Sequence, residues 1–363
     1  MRTLKLLLLF LLIELAFSRV KAQGISAFSD YRGYLYAFDN GNFNKLEYLP
    51  VNSFKSGSYC IAYVDNRNDF KVYSGGKSVN LLNAADFNYW VTDYLVAFKV
   101  GQVLYVQDAG VKKLLCYYNT RMSVNDSMIS WFDDSQYTFN IYYNGRNAVL
   151  ENSLLEPPRA VKAGSNTLAW VNQSNFFNIF YRGSVINMDD IPPVSFEAGR
   201  DIVAWVDGYN QYFNIFYQGD TAVAATFAPD SFKVGNGLLA YVDQLGNFQV
   251  FNKGGIKQLL SDRPDFFLVK GNILVYSYNN SFYVYYDGKS YPVETYVPTS
   301  FKTGLNSVAY QDPGGSMKFF SKGSTYTVSS EFIRDYDVTG DVLKILVGTN
   351  TTQFFWEGQL YEQ

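Results

Sequence analysis

The chain has 363 residues, of which 48% are hydrophobic and 18% aromatic; it carries a net charge of −3, two cysteines and no histidine. Without histidine the commonest general base and metal ligand are missing, so Ser-His-Asp, Cys-His and histidine-zinc centres are excluded, and two cysteines alone cannot make a structural zinc site. An acidic balance argues against non-specific nucleic-acid binding, which depends on basic surface.

The first segment reads as an address. Arg2 and Lys5 precede an unbroken apolar run from Leu6 to Ile13, and Val20-Lys21-Ala22 sets small residues before Gln23. This pattern is a secretory signal peptide over residues 1–22, leaving residues 23–363 as the mature domain. Its removal takes away four basic residues and one acid and lowers the net charge from −3 to −6. The run is too short to span a membrane comfortably and is interrupted by Glu14. No later stretch is long and apolar enough, so no transmembrane segment is expected in the mature chain. No cysteine follows the cleavage point, so no lipid anchor is expected there.

From Gly41 onward one unit repeats. Gly41, Gly76, Gly110, Gly145, Gly183, Gly219, Gly254, Gly288, Gly323 and Gly358 follow one another at steps of 34 to 38 residues. The unit is clear at Ser195-Phe196-Glu197-Ala198-Gly199, Ile202 to Asp207, Phe213 to Tyr217 and Gly219. It recurs at Ser231 to Gly235, Leu239 to Asp243, Phe248 to Phe251 and Gly254. Each unit holds four short runs rich in aromatic and β-branched residues, bounded by Gly, Asn and Asp, which is strand and turn chemistry. Alternation in the third run sends Phe and Ile or Val to one side and Asn or Gln to the other. The glycine after it falls where a tight hairpin needs positive φ. Cys60 and Cys116 sit in such runs and read as buried free thiols, a disulfide between them being the alternative that a secreted chain permits.

Four strands per unit of this length make a propeller blade, so the expected fold is an all-β propeller of about ten blades in one closed ring. Most of the aromatics then fill the space between blades. The Ala before the aromatic (Ala62, Ala169, Ala204, Ala240, Ala309) is expected to be small because neighbouring sheets approach there. Asp65, Asp133, Asp207 and Asp243, at the ends of second strands, read as turn starters rather than as a functional carboxylate ring. The first unit, from Ile25, lacks a clear first strand, and the first and last units are expected to pack together because an open edge is a liability.

No catalytic constellation stands out, and no catalytic, cofactor-binding or metal-binding residue is assigned. Strands are committed to the core, so partner contacts are expected from loops such as Asn66-Arg67-Asn68 and Tyr209-Asn210-Gln211. The alternatives are a lectin, with sugar on loop aromatics such as Tyr209 and Tyr212, and a glycoside hydrolase using a carboxylate pair on one face. The pattern Phe-Lys-x-Gly, then Ala-Tyr-Val-Asp, then Phe-x-Val-Phe-x-x-Gly resembles the repeats of TolB-like and related propellers over Ile25 to Gln363. Those families range from scaffolds to accessory domains of hydrolases. The Lys-Ala-Gln cleavage region, the richness in Asn, Tyr and Phe, and the triplets Asp126-Ser127-Met128 and Asp220-Thr221-Ala222 resemble envelope proteins of the Bacteroidetes. That resemblance implies a periplasmic protein without a C-terminal sorting domain. It further implies an accessory, plug-like subunit docked on the outer-membrane translocon of the type IX secretion system.

Overall fold

The computed structural model describes residues 24–108 and 110–363, so the signal peptide and the start at Gln23 lie outside the described residues. The described chain forms ten antiparallel meander sheets, at residues 25–50, 53–83, 88–116, 119–151, 160–189, 195–225, 231–260, 266–294, 301–329 and 333–362, here blades 1 to 10. Blades 2 to 10 have four strands each and blade 1 has three. In blade 7 the strands are Ser231–Val234, Leu238–Val242, Phe248–Asn252 and Gly255–Leu260. The first strands of neighbouring blades touch one another around the axis, so they form the inner wall, and the fourth strands form the rim.

Burial follows this order. Second strands such as Ile202–Val206 and Leu238–Val242 are buried throughout, because sheets cover them on both faces. The cores lie between blades. One joins Ala204, Val206 and Ile215 of blade 6 to Leu239, Tyr241 and Phe251 of blade 7. The alanines Ala62, Ala169, Ala204, Ala240 and Ala309 are fully buried, as expected for the points of closest sheet approach. Burying each large side chain contributes about 1.5–3 kcal/mol, and repetition of that contact holds the ring. Trp170 and Trp205 both lie in these interblade cores. Cys60 and Cys116 are buried free thiols, and burial pushes both up to about 12.

The repeat glycines do what their spacing implied. All ten close the hairpin between the last two strands of their blade, with φ between 78° and 110°. The preceding residue also has positive φ at Asn40, Asn144, Arg182, Gln218 and Lys253, the signature of a two-residue type I′ turn whose twist matches the strands. A bulge shifts the register where the third strand begins to pair with the fourth, as between Phe213 and Asn214 or Phe248 and Gln249. It adds local twist to the rim strands.

A second set of glycines closes the inner ring. At the turn between first and second strands, a Cβ on Gly164 would strike Gly199, one on Gly199 would strike the Gly235 carbonyl, and one on Gly235 would lie 2.6 Å from the Gly271 carbonyl oxygen. The series continues through Leu305, Gly304 and Gly340, and a Cβ on Gly340 would lie 2.7 Å from Ser58 Oγ in blade 2. Blade 10 therefore meets blade 2 at the axis. Among the described residues blade 1 has no inner strand, and the belt passes it by with nine members. Blade 1 is wedged outside that gap. Phe28 and Phe38 pack on Val342, Phe354 and Trp356 of blade 10, and Ala27 and Ala37 pack with Ile61 and Tyr63 of blade 2. Lys344 of blade 10 stands where the other blades have a small residue such as Ala62 or Ala309 and donates from Nζ to the Ala27 carbonyl at 3.3 Å. The first and last units thus pack together as expected.

Candidate functional site: the face of the aspartate turns

Antiparallel pairing sorts the loops onto two ends. Turns between first and second strands, and between third and fourth, lie on one end, the glycine face. Turns between second and third strands, with the connections between blades, lie on the other, the aspartate face.

The aspartates named from the sequence build the turns of that second face. The Asp65 carboxylate accepts the amides of Arg67 and Asp69 at 2.8 and 2.9 Å. Asp133 accepts Ser135 and Gln136, Asp207 accepts Tyr209 and Asn210, and Asp243 accepts Leu245 and Asn247. Partial burial alone would raise these carboxyls, but the bonds donated to them outweigh it and hold all four below the ordinary carboxylate range. Each is a turn starter, ionised and spent on its own backbone.

Both expected contact loops lie on the aspartate face and are exposed. Asn66, Arg67 and Asn68 form the turn of blade 2, and Tyr209, Asn210 and Gln211 that of blade 6, so they stand four blades apart on the ring. Their roles differ. Asn68 adopts φ 63°, its side chain accepts Asn52 Nδ2 at 3.0 Å, and its carbonyl accepts Ala84 N, so it ties the neighbouring connections. Arg67 projects freely enough to offer a charge, while its carbonyl holds Asn83. Tyr209 is 84% exposed with an unburied ring, and Gln211 takes the positive φ that closes the turn.

The apolar content of this face is larger than the sequence reading anticipated. Tyr31, Tyr117, Tyr118, Tyr137, Leu155, Phe176, Val194, Tyr209, Phe227, Leu245 and Phe332 are all exposed on its turns and connections. In the turns of the glycine face the exposed large apolar residue is Tyr94, itself stacked on Tyr59 at 4.5 Å. Leu155 and Leu245 are 85% and 88% exposed. An apolar residue inside a polar turn, as in Asp243-Gln244-Leu245-Gly246-Asn247, was the available sequence signal. Scattered exposed apolar residues are ordinary; their concentration on one face is what marks an interaction surface.

Asp189 ends the fourth strand of blade 5 and Asp207 opens a turn of blade 6, and each carboxyl feels the charge of the other. Burial and then the neighbouring Asp207 raise Asp189. Among the described residues no group of three or more Cys, Asp or Glu side chains is arranged to hold a metal ion. No helix among them is long and apolar enough to cross a membrane.

Residues 19–361 match the family model of a 10-bladed beta propeller domain. No curated protein matches the chain. Among solved structures, the computationally designed Ika8 protein is 12% identical, with 74% of this chain and 95% of that one covered at a TM-score of 0.36. The CRINKLY WD40 ectodomain of the Arabidopsis thaliana receptor kinase ACR4 is 8% identical over 65% of this chain and 97% of that one, with a TM-score of 0.34. Tricorn protease is 12% identical over 92% of this chain and 45% of that one, with a TM-score of 0.34.

Proposed function

The chain belongs to the family of 10-bladed beta propeller domains, and from that premise we propose that it is a non-enzymatic protein-binding scaffold of the cell envelope. Its working surface is the aspartate face. The observation that carries this reading is the concentration of exposed aromatic and aliphatic side chains in the turns and connections of that face, against one such residue in the turns of the other. Exposed tyrosine, phenylalanine and leucine on rigid turns supply contact area at low entropic cost, the property expected of a docking surface. Within the envelope, the proposed partner is an outer-membrane protein-export channel, with the propeller acting as an accessory or plug-like disc in the periplasm. A broad disc suits such a mouth because it covers an opening that one hairpin could not.

The test is gentle affinity purification of the full chain from native envelopes, with a parallel glycan-binding assay. A stoichiometric outer-membrane partner supports the scaffold. A protein that emerges alone and binds glycans overturns it in favour of a lectin, the reading that exposed rings such as Tyr209 and Tyr212 would then serve.

A further inference from the structure

Two clefts open on the aspartate face on either side of one inner strand, Ala160–Ala163 of blade 5. The cleft toward blade 4 has a volume of about 230 Å3 and is walled by Met122, Phe132, Phe139, Pro157, Pro158 and Val161, with Arg121, Ser123 and Ser130 at its polar side. The cleft toward blade 6 has a volume of about 440 Å3 and is walled in part by Pro192, Pro193, Val194 and Phe196. Each wall includes a proline pair from the connection entering the next blade. Proline offers no backbone donor and holds its φ, so these walls are apolar and stiff. Exposed Leu155, Phe176 and Tyr209 stand around the clefts.

The charge of the same arc is one-sided. From blade 4 to blade 7 the turns and connections carry Asp133, Asp134, Glu156, Asp189, Asp190, Asp207 and Asp243, with Asp230 paired to Arg263, and the cation Arg159; they carry no lysine. Arg159 donates to Asn175, Lys162 in the larger cleft pairs with Glu197 at 3.4 Å, and Arg121 stands at the smaller cleft, so carboxylates still outnumber cations over the arc. An apolar surface with stiff clefts under a negative field selects a partner that is apolar and positive.

We infer that the arc of blades 4 to 6 on the aspartate face receives an extended, lysine- or arginine-rich segment of a partner protein, whose apolar side chains enter the two clefts. This rests on the scaffold reading above. The experiment places a photo-crosslinking phenylalanine analogue at Phe176 or Tyr209, and for comparison at Tyr94 on the glycine face or Leu360 on the rim, in the full chain in its native cells. Crosslinked peptides are sequenced, and a synthetic peptide of the captured segment is titrated into the purified protein. Expected are crosslinks from Phe176 and Tyr209 to one basic, apolar segment. The peptide's affinity should fall about tenfold or more from low to high salt and again on Glu156→Lys with Asp190→Lys, both exposed. Crosslinks only from Tyr94 or Leu360, an acidic captured segment, or salt-independent binding would overturn this inference and leave the scaffold standing. Absence of any protein crosslink from all four positions would remove both.

Discussion

Gly235→Ala tests whether the inner belt is closed at the spacing described. Gly235 has a φ that any residue adopts, so the substitution acts through space alone. The new Cβ would lie 2.6 Å from the Gly271 oxygen and 2.7 Å from Val269 Cγ1. The Gly271 oxygen already accepts the Asn236 amide at 2.7 Å, so moving it away stretches that bond. Overpacking costs about 1–3 kcal/mol and the strained hydrogen bond about 1, while the less flexible unfolded chain returns about 0.4–1. The net loss should be about 2–3 kcal/mol, read as a lower urea midpoint by tryptophan fluorescence. Gly254→Ala is the contrast. It has φ 85° and open space around its Cβ, so it should cost about 1–2 kcal/mol through the backbone alone. Gly254→Asn should recover most of that because asparagine tolerates the left-handed region, whereas Gly235→Asn should be worse than Gly235→Ala. A neutral Gly235→Ala would refute the backbone-to-backbone belt between blades 7 and 8.

Three further outcomes are expected. Trp205→Ala and Trp170→Ala should each cost about 3–5 kcal/mol through lost burial and a cavity; Trp170 should be the worse, because its indole N–H donates to Glu151, and thermal melts near wild type would refute the strand register. Lys344→Ala, although it installs the residue type other blades use there, should lose about 1–2 kcal/mol by stripping the stem from the seam and orphaning the Ala27 carbonyl; a stabilised variant would show that the buried lysine, which burial pushes below the usual lysine range, only costs. For pH, Asp65, Asp133 and Asp243 have folded values below their unfolded ones, so their contribution is present above about pH 4 and is lost as pH falls through the lower folded values; Asp243→Asn should flatten that acid limb in urea melts at stepped pH, and an unchanged limb would refute it.

Much of this architecture was readable because its causes are local. A hairpin glycine with positive φ, an alanine where sheets touch and an aspartate that caps its own turn each leave a mark at a fixed offset. The missing inner strand of blade 1 was also visible as an absent pattern. Its consequence was not, because the contact of Gly340 with Ser58 joins residues from opposite ends of the chain. Lys344 departs from the alanine column because its neighbour is a blade without an inner strand, a cause the column itself does not carry. The bulges at the start of the third strands break no pattern and left no signal. For the site, loop positions such as Arg67 and Tyr209 were legible as exposed, but the one-sidedness of the apolar surface needs the strand directions to be summed over ten blades.

The two faces have different freedom for a physical reason. On the glycine face the turns between first and second strands must pass backbone against backbone around the axis, so a side chain added there meets a neighbouring blade, as at Gly164, Gly199 and Gly235. Among the described residues the hairpins of that face have positive φ at their two turn positions, which favours Gly, Asn and polar types there. The aspartate face has no such closure. The turns opened by Asp30, Asp65, Asp133, Asp207, Asp243 and Asp312 are stabilised from within by a carboxylate, so the residues after Asp207 or Asp243 can be Tyr209 or Leu245 without cost to the ring. Connections there also vary in length, from Val51-Asn52 to the longer stretch containing Pro157-Pro158. A surface that can change without disturbing the fold is where recognition can be written. The aspartate face is that surface, which is why the partner should be sought there.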